Sequence, residues 1–197
     1  MYPFIETIRI EDGKIYNLPY HNERMNRTRS EVLGVMDCNL DLSDYIHPEA
    51  YGERTKCRVE YLKDIVKVEY FTYYVRPVRS LQLVVCDDAD YRYKSTDRHL
   101  LNDLYAQRMG RDDVLIVRNG LLTDTSICNV ALWNGESWLT PARPLLQGTK
   151  RASLLDSGMI TSKDITAKEL REYSSIRLFN ALIDFGEIEM DMTSVVI

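Results

Sequence analysis

Three consecutive segments, CRVEYL, IVKVEYFTYYV and LQLVVCD, are dense in β-branched and aromatic residues, with only Lys63-Asp64 and the stretch Arg76 to Ser80 between them. Such residues suit a pleated, half-buried surface, so the chain must be organised around sheet. Read in order, the three segments form an antiparallel meander. Ahead of them FIETIRI reads as a strand, Glu11-Asp12-Gly13-Lys14 as a tight turn, and the residues around Ile15 as a short returning strand. LPYHNERMNRTRSEVLG has the length of a helix, with Pro19 in the first turn, where its missing N–H does no harm, and Gly34 placed to stop it. A short helical turn is expected near His47-Pro48-Glu49. The meander is expected to complete an N-terminal α+β lobe over residues 1–88.

DDADYRY breaks the periodicity and marks the boundary to a second lobe, residues 89–197. Leu100, Leu101, Leu104, Tyr105 and Met109 follow helical spacing, which predicts a helix from Thr96 to Met109 stopped by Gly110. Asn119-Gly120 and Asn134-Gly135 are hairpin signals, and Thr149 to Ser157 reads as a short helix closed by Gly158. The second lobe is therefore strand-rich, and the fold class is α+β with two lobes.

A net charge of −5 argues against a nucleic-acid partner, because neutralising phosphates needs a basic surface. The densest basic cluster, Arg24, Arg27 and Arg29, is interleaved with Glu23 and Glu31 and reads as a solvated helix face. The four cysteines, Cys38, Cys57, Cys86 and Cys128, lie far apart, and with three histidines they predict free thiols in a reducing compartment and no metal site. No apolar run approaches the roughly 18 residues of a membrane span, and the N-terminus lacks a signal-like stretch, so the expected location is cytoplasmic.

The chemistry concentrates in YKSTDR, LLTDTSICN, WLTP and LLQGTKR, in that order. A lysine in a short polar loop can form a Schiff base, a carboxylate can face a pyridinium nitrogen, and a Gly-Thr helix start can take a phosphate. Singly these residues are ordinary. Lys94 is a lysine among many, Asp124 suits a hairpin end, and FNALIDF suits a core strand.

Together, Tyr93-Lys94, Thr123-Asp124-Thr125-Ser126, Asn129, Thr140-Pro141 and Leu146-Gln147-Gly148-Thr149 resemble the class IV aminotransferases and aminodeoxychorismate lyases, the fold-type IV pyridoxal-phosphate enzymes. FIETIR with Asp12-Gly13, His21-x-x-Arg24-Met25, and Phe179-Asn180-Ala181-Leu182 extend the resemblance over nearly the whole chain. It implies a D-amino-acid aminotransferase-like fold: a small N-terminal α/β sandwich-like lobe, a strand-rich C-terminal lobe, and an active site between them near a homodimer interface. The implied cofactor is pyridoxal 5′-phosphate and the implied substrate a small-molecule amine.

By the same resemblance Lys94 would carry the cofactor aldehyde and shuttle the proton, Arg24 would contact the phosphate, and Asp124 would face the pyridine nitrogen. Asn129 would lie beneath the ring. Gly148, Thr149, Asn180 and Ala181 would complete the phosphate shell, while Lys150 would either add a charge to it or point to solvent. His21 is expected to position its helix, and Arg98 to donate near cofactor or substrate. Three features depart from the family pattern: an aspartate where glutamate is usual, Lys150 where a hydroxyl residue is common, and a start only three residues before Phe4, where family members usually carry a further strand and loop.

Two reactions share these groups up to loss of the proton on the amine-bearing carbon. A transaminase of branched-chain or D-amino-acid type returns that proton to the cofactor, whereas aminodeoxychorismate lyase expels pyruvate and forms p-aminobenzoate. Asn180-Ala181-Leu182 and the Asp97-Arg98 end of the lysine loop favour the lyase. A degenerate, non-catalytic cofactor binder is the further alternative. A phosphate-binding regulatory module would account for Gly148-Thr149 but leave Lys94 and Asp124 unexplained.

Overall fold

Asp12 and Gly13 both take left-handed backbone conformations, φ 50° and 68°, and so fold β1 (Phe4–Glu11) back onto β2 (Lys14–Ile15) as the turn chemistry predicts. The computed structural model describes residues 2–197. β1 also pairs antiparallel with β3 (Thr55–Tyr61), which pairs with β4 (Ile65–Thr72), giving the order β2-β1-β3-β4. Along β3, Thr55, Cys57, Val59 and Tyr61 alternate inward, the period-two pattern of a sheet covered on one face. Helix α1 (Leu18–Leu33) supplies that cover, with Pro19 in its first turn and Gly34 at φ 69° past its end. Phe4, Ile8 and Ile10 of β1 share a core with Met25, Leu42, Cys57, Val59 and Tyr61. Each large apolar side chain buried this way contributes about 1.5–3 kcal/mol.

LQLVVCD does not continue this meander. β5 (Leu81–Val85) pairs in parallel with β6 (Asp113–Arg118) and with β13 (Val195–Val196), in a second sheet ordered β13-β5-β6-β7, where β7 is Leu121–Thr125. The reason lies in β6, whose residues Asp113 to Val117 are all buried. A strand buried along its length suits a parallel neighbour, and the helix-bearing crossover that such pairing requires is at hand in α2 (His99–Ala106). Accordingly the chain divides into one unit formed by residues up to Val75 with Tyr93–Asp97, and another formed by Arg76–Arg92 with Arg98–Ile197, rather than at residue 88.

In the second unit Asn119 and Gly120, both left-handed, close the β6–β7 hairpin. β8 (Asn129–Trp133) and β9 (Trp138–Pro141) flank Asn134-Gly135, as predicted. With β10 (Thr161–Lys163), β11 (Ser175–Asn180) and β12 (Ile183–Asp191) they form a five-stranded sheet ordered β10-β9-β8-β11-β12. Helix α3 (Thr149–Asp156) packs Leu154 with Ala131, Ile160 and Phe179. α2 begins at His99 rather than Thr96, because Tyr93 to Asp97 is tied elsewhere. No helix among the described residues is long and apolar enough to cross a membrane.

Candidate active site

Alternation along β1 places Glu6 in the row of Phe4, Ile8 and Ile10, so a carboxylate stands among core residues, fully buried. On α1, His21 and Arg24 are one turn apart and both face it. Arg24 donates through Nε to Glu6 Oε1 at 2.9 Å and through Nη2 to Oε2 at 2.5 Å, and His21 Nδ1 lies 2.5 Å from Oε2. Burial alone would raise the Glu6 carboxyl, but the Arg24 charge and the hydrogen bonds from His21 and Arg24 overcome it and hold it down to about 2. Burial pushes His21 below its usual value against the pull of Glu6, with Arg24 and Lys94 adding to the depression. The imidazole is therefore neutral, and the bond to Glu6 assigns its proton to Nδ1. Arg24 is thus neither solvated nor paired with Glu23 or Glu31. Its ion partner is Glu6, while Glu23 faces Arg27 at 3.8 Å and Glu31 accepts from Tyr93 Oη at 3.0 Å.

Lys94 is docked on this same unit. Its carbonyl accepts from Ile5 N at 2.8 Å, Ser95 bridges Phe4, and Thr96 donates to Pro3 O through both N, 2.9 Å, and Oγ1, 3.0 Å. The Tyr93 ring meets Phe4 edge-on with centroids 6.3 Å apart. These bonds give the lysine loop the start of β1 as its support, so Lys94, Glu6, His21 and Arg24 belong to one framework.

In the second unit the end of β7, the start of β8 and the start of α3 converge. Asp124 is buried, with Oδ1 accepting from Asn129 Nδ2 at 2.8 Å and Oδ2 from Leu146 N at 2.9 Å. Burial raises this carboxyl to about 6, against the lowering effect of the Leu146 N–H, the Asn129 amide and the charge of Arg151. Arg151 is bonded to Pro141 O and Gln147 Oε1 rather than to Asp124, and its buried Nε has no hydrogen-bond partner. Asn129 also donates to Leu146 O at 3.0 Å, and a Cβ added at Gly148 would stand 1.9 Å from Asn129 Oδ1. Only glycine lets the N-cap of α3 come this close to the amide. Thr149, the first helical residue, is buried there.

Asn180 ends β11. It accepts from Leu182 N and Ile183 N, and donates to Ile127 O at 3.2 Å and Cys128 Sγ at 3.4 Å, so the turn at Ala181 is tied to the segment just before Asn129. Lys150 does not point to solvent, since its Nζ is bound to Asp184 Oδ1 on β12 at 2.6 Å. Arg98 donates to Ser126 O at 2.8 Å and lies over the Tyr91 ring.

Sequence reading brought out Asp124, Asn129 and Gly148, which the structure joins. It missed Glu6, although an acid in step with Phe4, Ile8 and Ile10 on a strand is a visible signal. It also missed the Leu146 N–H, a backbone group that no motif reports.

Residues 73–189 match the model of the amino-transferase class IV family. An uncharacterized protein of Haemophilus influenzae is 37% identical over 185 residues, covering 92% of this chain and 98% of its own. A crystal structure from Haemophilus somnus, provisionally assigned as a 4-amino-4-deoxychorismate lyase, superposes with a TM-score of 0.85 at 35% identity, over 93% of this chain and 97% of that one. A provisionally named aminodeoxychorismate lyase of Schizosaccharomyces pombe is 26% identical over 196 residues, 86% of this chain and 82% of its own.

Proposed function

This chain belongs to the class IV aminotransferase family, and from that premise we propose that it is a pyridoxal-phosphate-dependent lyase that converts 4-amino-4-deoxychorismate into p-aminobenzoate and pyruvate. The observation that carries the cofactor is Asp124: a buried carboxyl raised to about 6, bonded by a neutral amide and the backbone N–H groups of Leu145 and Leu146. A protonated pyridine nitrogen is the kind of partner that would relieve it. The donor set fits the rest of the group as well, with a lysine on a fixed loop, a buried arginine, and a glycine-started helix whose first amides and Thr149 suit a phosphate.

In this reading Lys94 holds the cofactor aldehyde, Arg24, Gly148, Thr149, Asn180 and Ala181 hold the phosphate, Asp124 keeps the ring nitrogen protonated, and Asn129 keeps Asp124 in place. When bound, pyridoxal phosphate supplies an aldehyde for the substrate amine and a ring that draws electrons from the amine-bearing carbon. Lys94, once displaced by the substrate amine, takes the proton from that carbon. The C–O bond at the neighbouring carbon would then break, its electron pair leaving with the oxygen as the enolate of pyruvate while the ring becomes aromatic, and the Lys94 ammonium would return the proton that turns this enolate into pyruvate. The lyase assignment draws on the Haemophilus somnus and Schizosaccharomyces pombe relatives. A homodimer, as the family resemblance implies, and a cytoplasmic setting, as the free thiols suggest, complete the proposal.

Absorbance of the protein with added pyridoxal phosphate, followed by borohydride reduction and peptide mapping, should place the label on Lys94. With 4-amino-4-deoxychorismate, p-aminobenzoate and pyruvate should appear together and vanish in Lys94→Ala. No turnover of that substrate beside rapid amino-group exchange to 2-oxoglutarate would replace the lyase reading with a transaminase. Label spread over many lysines would sink the cofactor reading.

A further inference from the structure

We infer that Glu6 is a positioning residue for the cofactor phosphate, acting through Arg24; this rests on the pyridoxal-phosphate reading above. The carboxylate engages the Nε–Nη2 edge of the guanidinium with both oxygens, at 2.9 and 2.5 Å, and takes His21 Nδ1 at 2.5 Å as a third bond. Glu6 and His21 have fully buried side chains and that of Arg24 is 7% exposed. A bidentate pair fixes the guanidinium plane, and an arginine already confined in this way gives up little further freedom when it meets a phosphate. Next to Glu6 on the same strand, the Ile5 N–H holds the carbonyl of Lys94. One strand thereby sets both the lysine that would take the aldehyde and the arginine that would take the phosphate.

Two effects of Glu6 oppose each other. Its charge offsets that of Arg24, so by charge alone its removal would strengthen the hold on a phosphate. Its geometry keeps Arg24 in one place, and without it a buried guanidinium would lose its counter-ion and turn away to find solvent or another partner. Depth of burial and the three-bonded geometry make the second effect the larger.

The test is the dissociation constant of pyridoxal phosphate, by absorbance titration of the full-length protein, for wild type, Glu6→Gln, Glu6→Asp, Arg24→Lys and Glu6→Gln/Arg24→Lys, with a thermal melt of each as a check on folding. Glu6→Gln should weaken binding by about tenfold or more, the range seen when the outer partner of a ligating group is removed. Glu6→Asp should fall between wild type and Glu6→Gln, which keeps the test decisive if Glu6→Gln does not fold. The double variant should bind within about twofold of Arg24→Lys, because the Glu6 effect passes through Arg24. At saturating cofactor the KM for the amine substrate should stay at the wild-type value. Unchanged or tighter binding in both Glu6 variants, or losses that multiply in the double variant, overturns the inference. Wild type that takes up no cofactor overturns the inference together with the reading beneath it, whereas wild type that binds beside unaffected Glu6 variants overturns the inference alone.

Discussion

Each unit buries one carboxyl group beside candidate site residues of its own, and the two are in opposite states. Glu6 is matched within its own unit by a guanidinium and an imidazole N–H, and burial has not prevented its ionisation, with the carboxyl down near 2. Asp124 is also buried but is met by an amide and the backbone N–H groups of Leu145 and Leu146, and it rises to about 6. Desolvation is a large opposing influence in both, so the difference lies in the partners: a cation within bonding distance for Glu6, neutral dipoles for Asp124. A carboxyl completed by its own chain serves architecture. One that lacks a bonded cation is set up to receive one, which is what the protonated nitrogen of a pyridine ring would supply.

The comparison can be broken most severely through turnover. Asp124→Asn should lower the rate of pyruvate release by on the order of 10²–10³-fold at saturating cofactor, the loss typical of removing one electrostatic contact to developing charge; a loss below about tenfold would deny Asp124 its role. Next comes pH. In the cofactor-free protein Asp124 has a raised value, so the native state is the better proton binder between about 4 and 6, and stability falls as pH rises through that window, by about 3 kcal/mol at full effect. Glu6 has a lowered value, so the unfolded state is the better proton binder, and its contribution is present above about 4.5 and drains away as pH falls toward 2. Urea unfolding across pH 3–8 should therefore lose the higher-pH slope in Asp124→Asn and the lower-pH slope in Glu6→Gln. If both variants flatten the same limb, the contrast between the carboxyls fails.

Smaller effects sharpen the picture. Gly148→Ala would drive a methyl into Asn129 Oδ1, with an expected destabilisation of about 1–3 kcal/mol and weaker cofactor uptake as Asn129 leaves Asp124; a melt and an absorbance titration read the two. Lys150→Ala breaks a pair whose aspartate side chain is 41% exposed. Such a pair contributes at most about 1 kcal/mol, and cofactor affinity should hold. A marked drop in affinity would return Lys150 to the phosphate.

What was legible in the sequence was local. Asp12-Gly13, Asn119-Gly120 and Gly34 enforce backbone conformations that few other residues accept, so the hairpins and the end of α1 could be read directly. The pairing of β5 could not. Parallel partnership with β6 depends on a strand about 30 residues further on and on a crossover helix, and no local pattern encodes that. The seat of Lys94 is of the same kind, decided by bonds from Ile5 and to Pro3 near the other end of the chain. At the site, side-chain identities such as Asp124 and Asn129 could be named from motif order, whereas their state could not, because it depends on burial and on the Leu146 N–H. Glu6 was hidden by its setting: in a strand of alternating residues an acid reads as surface until its row is found to face the core.

The placement of Tyr93–Asp97 in the first unit means that the chain passes from one unit to the other three times, after Val75, after Arg92 and after Asp97. The units are interleaved in sequence, so neither is a cassette that a single recombination event can exchange. A crossover at any of the three junctions parts Lys94 from β1 or carries a foreign flank to one of them. Exchange of either unit intact needs crossovers at all three junctions together.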